Sequence, residues 1–157
     1  MKSPGLKKGF ALSQRKYVLD LLAETGMMGS RPIDTPMDSN IQFSKYKGED
    51  FVDASRYRRL VGKLIYLTVT RPNITFAVGF VSQFMQSPKQ QHWDALCRIL
   101  KYLKSAPHKG LLLKPSDDLE IVGFSDASWV GDQLDRRSVS GYCVFIRCNL
   151  VTWKSKK

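Results

Sequence analysis

The stretch Gly123-Phe124-Ser125-Asp126-Ala127-Ser128-Trp129 holds the most suggestive chemistry in the chain. An aspartate at the end of a strand, flanked by small residues, lets a phosphate backbone and a cation approach closely. Its carboxylate is a suitable Mg²⁺ ligand. Asp126 reads equally as a turn residue that closes a strand. Two-metal phosphodiester hydrolysis needs several carboxylates around ions roughly 3.5–4 Å apart, more charge than one aspartate supplies. Asp117, Asp118, Glu120, Asp132 and Asp135 are close in sequence, but nothing in their spacing aims them at Asp126.

Basic residues are the second resource. Arg136-Arg137-Ser138 falls in a turn before a strand, and Lys154, Lys156 and Lys157 follow Trp153. An arginine pair beside a serine hydroxyl suits a phosphate clamp, and it suits a solvated turn as well. Arg56, Arg58, Arg59 and Lys63 spread over more than one side of a helix, as a solvated face does. Trp129 and Trp153 could stack on bases or pack on a strand face. There is no Gly-x-x-x-x-Gly-Lys phosphate loop and no Gly-x-Ser-x-Gly turn. His92 and His108 stand apart without metal-ligand companions, so His92 reads as a surface or packing residue. Cys97, Cys143 and Cys148 are odd in number and lack Cys-x-x-Cys spacing. They predict buried or half-buried thiols in a reducing compartment.

The 157 residues are 43% hydrophobic, too apolar for a disordered chain. Lys and Arg number 25 against 14 Asp and Glu, a net charge of +11. That surplus attracts phosphates and makes nucleic acid the leading partner class. An anionic membrane surface ranks second by charge and is not the partner expected, and no apolar run is long enough to span a bilayer. Met1–Lys16 is basic without a continuous apolar core. No secretory leader is expected, and the location reads as cytoplasm or nucleus, with an organelle left open.

The elements that must position these groups follow from patterning. Gly9–Leu12 looks like a short strand. Ser13 can cap a helix over Ser13–Thr25 that stops at Gly26. Gly29–Asp53 reads as a long connection, able to wrap a neighbouring domain. Ser55–Thr68 places Tyr57, Leu60, Val61, Leu64 and Ile65 on one stripe. Ile74–Met85, apolar nearly all round, should be the most buried helix. Ser87-Pro88-Lys89-Gln90 is a start signal for a helix with Trp93, Leu96, Cys97, Leu100 and Leu103 on its stripe. Leu119–Ser125, Val139–Ile146 and Leu150–Trp153 then predict an antiparallel meander. Its inner face, with Ile121, Gly123, Tyr142, Val144, Ile146 and Trp153, needs a covering layer. Helices followed by strands define an α+β chain.

Several ordered stretches carry a resemblance: Leu12-Ser13-Gln14-Arg15-Lys16-Tyr17, Tyr57-Arg58-Arg59-Leu60-Val61-Gly62-Lys63-Leu64, Thr70-Arg71-Pro72-Asn73-Ile74, Asp135-Arg136-Arg137-Ser138-Val139-Ser140-Gly141-Tyr142 and Asn149-Leu150-Val151-Thr152-Trp153-Lys154-Ser155-Lys156-Lys157. Over essentially its whole length the chain resembles the Pol polyprotein of plant copia-type LTR retrotransposons. The resemblance implies a helical, thumb- and connection-like end of a reverse transcriptase over residues 1–114. Residues 115–157 would be the start of a ribonuclease H-like domain, a truncated antiparallel meander. Asp126 matches the family's first metal-binding aspartate, with Mg²⁺ as the implied cofactor. Ser128 stands where the family commonly has a second aspartate. The polymerase carboxylates would lie upstream of Met1, and the remaining ribonuclease H carboxylates beyond Lys157. The implied protein is a catalytically incomplete fragment with residual affinity for RNA–DNA hybrid or DNA. Its phosphate contacts would come from Arg136, Arg137, Ser138, Lys154 and Lys156. Two other readings stay open: one piece of a split Mg²⁺-dependent ribonuclease H completed by the remainder of a Pol protein, and a protein-interaction module or relic.

Overall fold

The computed structural model describes residues 9–38, 48–117, 120–128 and 139–156. Among them lie five strands and four α-helices, an α+β content. The chain divides into two compact units. One is residues 14–109; the other joins residues 1–13 to residues 110–157.

The helical unit is built on apolar stripes. In α1 (Arg15–Glu24), Val18, Leu21 and Leu22 are buried, and Gly26 at φ 71° ends the run. Gln14, not Ser13, occupies the N-cap. The Gln14 side chain accepts from the Thr70 hydroxyl at 2.7 Å. α2 (Ala54–Leu67) starts behind Asp53, whose carboxylate accepts the Arg56 N–H at 2.8 Å. Tyr57, Leu60, Val61, Leu64 and Leu67 are buried, while Ile65 is 45% exposed. At 100° per residue Ile65 stands roughly 100° from the centre of that stripe, and Leu67 takes its place. The Tyr57 hydroxyl donates to the Val81 carbonyl at 2.7 Å and ties α2 to the helix over Thr75–Ser82.

A 3₁₀ turn at Pro72–Ile74 leads into α3 (Thr75–Ser82). This is not the most buried helix: Ala77, Val78 and Val81 are covered, but Phe76 is 51% exposed. Two helical turns present one face to the core, and an apolar composition does not enclose the other. α4 (Gln90–Ser105) buries His92, Leu96, Cys97, Ile99, Leu100 and Leu103. Its N-cap is Lys89 rather than Ser87, because the His92 ring in the first turn accepts the Lys89 N–H. Trp93 is half-buried and stacks flat on Phe51, 4.5 Å between centroids. Each fully buried aliphatic in this core contributes about 1.5–3 kcal/mol.

The described ends of the long connection lie on the chain's own helices. Lys104 Nζ donates to the Ser30 carbonyl at 2.5 Å, and Arg98 Nη2 to Thr35 Oγ1 at 2.8 Å. Met37 and Phe51 pack against the core, and Asp50 bridges to Lys89.

The second unit holds two antiparallel sheets. β1 (Phe10–Leu12) pairs with β2 (Leu111–Leu113), a strand that composition alone did not announce. Gly9 and Gly110 flank this ribbon, where a Cβ at Gly110 would overlap the Leu12 carbonyl and one at Gly9 the Leu113 carbonyl. Gly110→Ala is therefore expected to cost about 2 kcal/mol by overpacking. Amide hydrogen exchange should show lost protection at residues 10–12 and 111–113; unchanged protection there would contradict the close approach.

β3 (Ile121–Ser128), β4 (Val139–Ile146) and β5 (Asn149–Lys156) form a meander in the order β3-β4-β5. The β4–β5 turn is two residues, Arg147 at φ 51° and Cys148 at φ 64°, the left-handed pair of a tight hairpin. Cys148 is thereby exposed, unlike the buried or half-buried thiol expected, whereas Cys97 is buried. The Asn149 side chain bonds the Lys114 N–H and C=O at 2.7 and 2.8 Å. None of the residues of this meander with a described environment is buried.

Candidate nucleic-acid interface

Asp126 lies inside β3 rather than at its end, because the strand runs two residues further, to Ser128. It is exposed and sits opposite Gly141, which in turn faces Ser155. Cross-strand partners share a side of a sheet. Asp126 therefore shares its side with Phe124, Cys143, Phe145 and Trp153. Phe124 and Phe145 meet edge to face, 6.0 Å between centroids.

Lys154 and Lys156 project from the opposite side. Lys154 pairs with Tyr142, itself opposite Ser125, and Lys156 pairs with Ser140, itself opposite Ala127. The cause is a bulge in β5. Leu150 pairs with Phe145, yet Thr152 pairs with Val144, so the register skips Val151. In straight pairing Trp153 would face Tyr142, as the expected inner face supposed. The bulge shifts β5 by one residue and puts Trp153 opposite Cys143. The structure thus separates Asp126 from both lysines. Arg136, Arg137, Ser138 and Trp129 lie outside the described residues.

Mg²⁺ demands near-octahedral oxygen coordination, in part from carboxylates. Asp126 has glycine and serine across from it, and the described residues contain no cluster of three His, Cys, Asp or Glu able to hold a metal. Asp126 with its cross-strand neighbours does not fit the ion.

The α2 cations are less free than a solvated face suggests. Arg59 Nη2 lies 3.2 Å from Glu24, and Lys63 is bonded to the same carboxylate. The Lys63 hydrogen bond holds the Glu24 carboxyl below its ordinary range. Arg56 lies over the Trp93 ring at 5.0 Å, and Arg58 Nη1 reaches the Met85 carbonyl at 3.5 Å.

Of two buried polar residues, Arg71 escaped the sequence reading, and His92 takes the packing role that was one of its two readings. Arg71 is 1% exposed. Its Nη1 donates to the carbonyls of Ala106 at 2.9 Å and Lys109 at 3.4 Å, beyond the C-terminus of α4, and its Nε donates to Asn73 Oδ1 at 3.3 Å. Burial lowers its pKa, and Nη2 has no partner among the described residues. The available signal was Pro72, which keeps its predecessor extended and ends helical continuity there. His92 is fully buried. Its Nδ1 accepts the Lys89 N–H at 2.9 Å, and its ring stacks on Phe84 at 3.8 Å. Burial, with the Lys89 charge, pushes its pKa down to about 4. The signal was its place three residues after the N-cap.

Comparison with known proteins supplies the lineage. The chain is 45% identical over 149 residues to the retrovirus-related Pol polyprotein from transposon RE1 of Arabidopsis thaliana, matching 95% of this chain and 10% of that protein. It is 42% identical over 150 residues to the corresponding RE2 polyprotein of Arabidopsis thaliana, matching 96% of this chain and 10% of that protein. It is also 37% identical over 153 residues to an uncharacterized mitochondrial protein of Arabidopsis thaliana, 95% of this chain and 62% of that one. No family model matches, and no solved structure matches. The class it resembles is that of retrovirus-related Pol polyproteins from transposons. Over almost all of its length the chain is similar to the Pol polyproteins of plant copia-type transposons, and it spans about a tenth of the length of the two Pol relatives.

Proposed function

We propose that this segment, as part of a reverse transcriptase–ribonuclease H protein, contacts nucleic acid and neither copies nor cuts it unaided. The carrying observation is the similarity to the RE1 Pol polyprotein across 95% of the chain. The +11 net charge supports a polyanionic partner. Lys154 and Lys156 are exposed cations without an ion pair among the described residues, and Arg136, Arg137 and Ser138 are the further phosphate contacts we propose. The metal chemistry of ribonuclease H has no counterpart in the described residues, since Asp126 stands without a second carboxylate across from it. The remainder of a Pol protein is the natural protein partner. No described helix is long and apolar enough to cross a membrane.

Gel mobility of a labelled RNA–DNA hybrid and of duplex DNA, with Mg²⁺ and a salt series, tests this. The expected result is a shifted, uncut hybrid whose affinity falls steeply with salt. Cleaved RNA, or the absence of a salt-sensitive shift, would overturn it.

A further inference from the structure

The side of the meander away from Asp126 is polar at one end and cationic at its β5 edge. Two cross-strand rows lie next to each other there: Ser125–Tyr142–Lys154 and Ala127–Ser140–Lys156. Lys154 and Lys156 are two positions apart on one strand, roughly 6.6–6.8 Å along it. That spacing lets two ammonium groups meet successive phosphates of an extended strand. Tyr142, 45% exposed, lies beside them and offers a ring face. Ser125 adds a hydroxyl, and Ala127 leaves the end of the second row open. No carboxylate projects from this side among the described residues; Asp126, the sole acidic residue within the three strands, points the other way.

We infer that this face, and not the Asp126 face, docks a single-stranded stretch of nucleic acid. Lys154 and Lys156 hold its phosphates, and Tyr142 stacks on a base. The inference rests on the nucleic-acid reading above and adds the face and the strandedness. Charge complementarity supplies affinity, because each neutralised phosphate releases counterions. The aromatic ring supplies the preference for unpaired bases, since only those expose a free π-face.

Fluorescence anisotropy on the full chain tests this with a labelled single-stranded oligonucleotide and its duplex. Doubly substituted Lys154→Gln/Lys156→Gln should bind the single strand about tenfold more weakly at low salt. Its log–log salt slope should be shallower by about 1.4, two phosphates at about 0.7 each. Tyr142→Leu should weaken single-strand binding about fivefold and leave the slope unchanged. Asp126→Asn, on the other face, should bind within twofold of the parent. Parental affinity and slope in the double lysine variant would overturn the face while leaving the nucleic-acid reading standing. Equal binding of both oligonucleotides, insensitive to Tyr142→Leu, would overturn the strandedness. A parent chain that binds neither oligonucleotide would bring down the nucleic-acid reading itself.

Discussion

Arg71→Ala is expected to destabilise the helical unit by about 4 kcal/mol, near the upper end of large-to-small core substitutions. The substitution empties the volume of a long side chain that is 1% exposed. It also strips the donor from the Ala106 and Lys109 carbonyls just beyond α4 and from Asn73. One opposing effect must be weighed. A buried guanidinium whose Nη2 has no partner among the described residues carries a desolvation cost that its removal relieves. Hydrogen bonds from a charged donor contribute about 1.5–3 kcal/mol each, and a cation at a helix C-terminus adds about 0.3–1 kcal/mol. Together with the cavity they outweigh that relief. Arg71→Met keeps most of the volume and loses the donors, so it should cost about half as much. Thermal melting followed by circular dichroism should place Arg71→Ala roughly 20 °C below the parent, on the scaling for a unit of this size. A melting point unchanged in both variants would show that the guanidinium contributes nothing net.

Acid should weaken the same unit through His92. The folded chain holds this imidazole neutral down to about 4, against an ordinary value of 6.5, because burial and then the Lys89 ammonium disfavour the cation. Between those values the unfolded chain binds more protons, so stability rises with pH across the window. The contribution is fully present above pH 6.5 and is lost as pH falls to 4. At 1.36 kcal/mol per unit the gap amounts to about 3 kcal/mol. His92→Gln keeps an acceptor three residues after the N-cap, as a capping glutamine does, and cannot titrate. Its baseline stability should drop with the loss of stacking on Phe84. Its stability difference from the parent should then shrink between pH 6.5 and 4.5. Urea melts at stepped pH measure this, and a constant difference across the window would refute the assignment.

These two residues also show where sequence reasoning stops. The stripes of α2 and α4 were legible because their period survives without knowledge of the partner helix. Tyr57, Leu60, Val61 and Leu64 fell where expected, and only the margin between Ile65 and Leu67 was misjudged. The caps were less legible. Asp53 and Lys89 lie one or two residues from the expected starts, and boundaries turn on single hydrogen bonds. Arg71 looks like a surface residue by type and His92 left surface and packing open; tertiary packing encloses both. In the meander β4 was read to the residue, Val139–Ile146. The mutual placement of Asp126 and the lysines was not legible, because it depends on a bulge that no residue type announces. Arg136, Arg137 and Ser138 fall outside the described residues.

That bulge makes chain length, rather than residue identity, the carrier of information in β5. Side chains alternate along a strand, so the number of residues between the Arg147–Cys148 turn and Trp153, together with the one residue bulged out among them, decides which group of side chains shares a surface with Asp126. Deleting Val151 would leave that parity intact and merely straighten the strand. Inserting one residue beyond it, with the bulge retained, would exchange the contents of the two surfaces, bringing Lys154 and Lys156 round to the carboxylate and sending Trp153 away. Drift by substitution is therefore tolerated here in a way that drift by single-codon insertion is not.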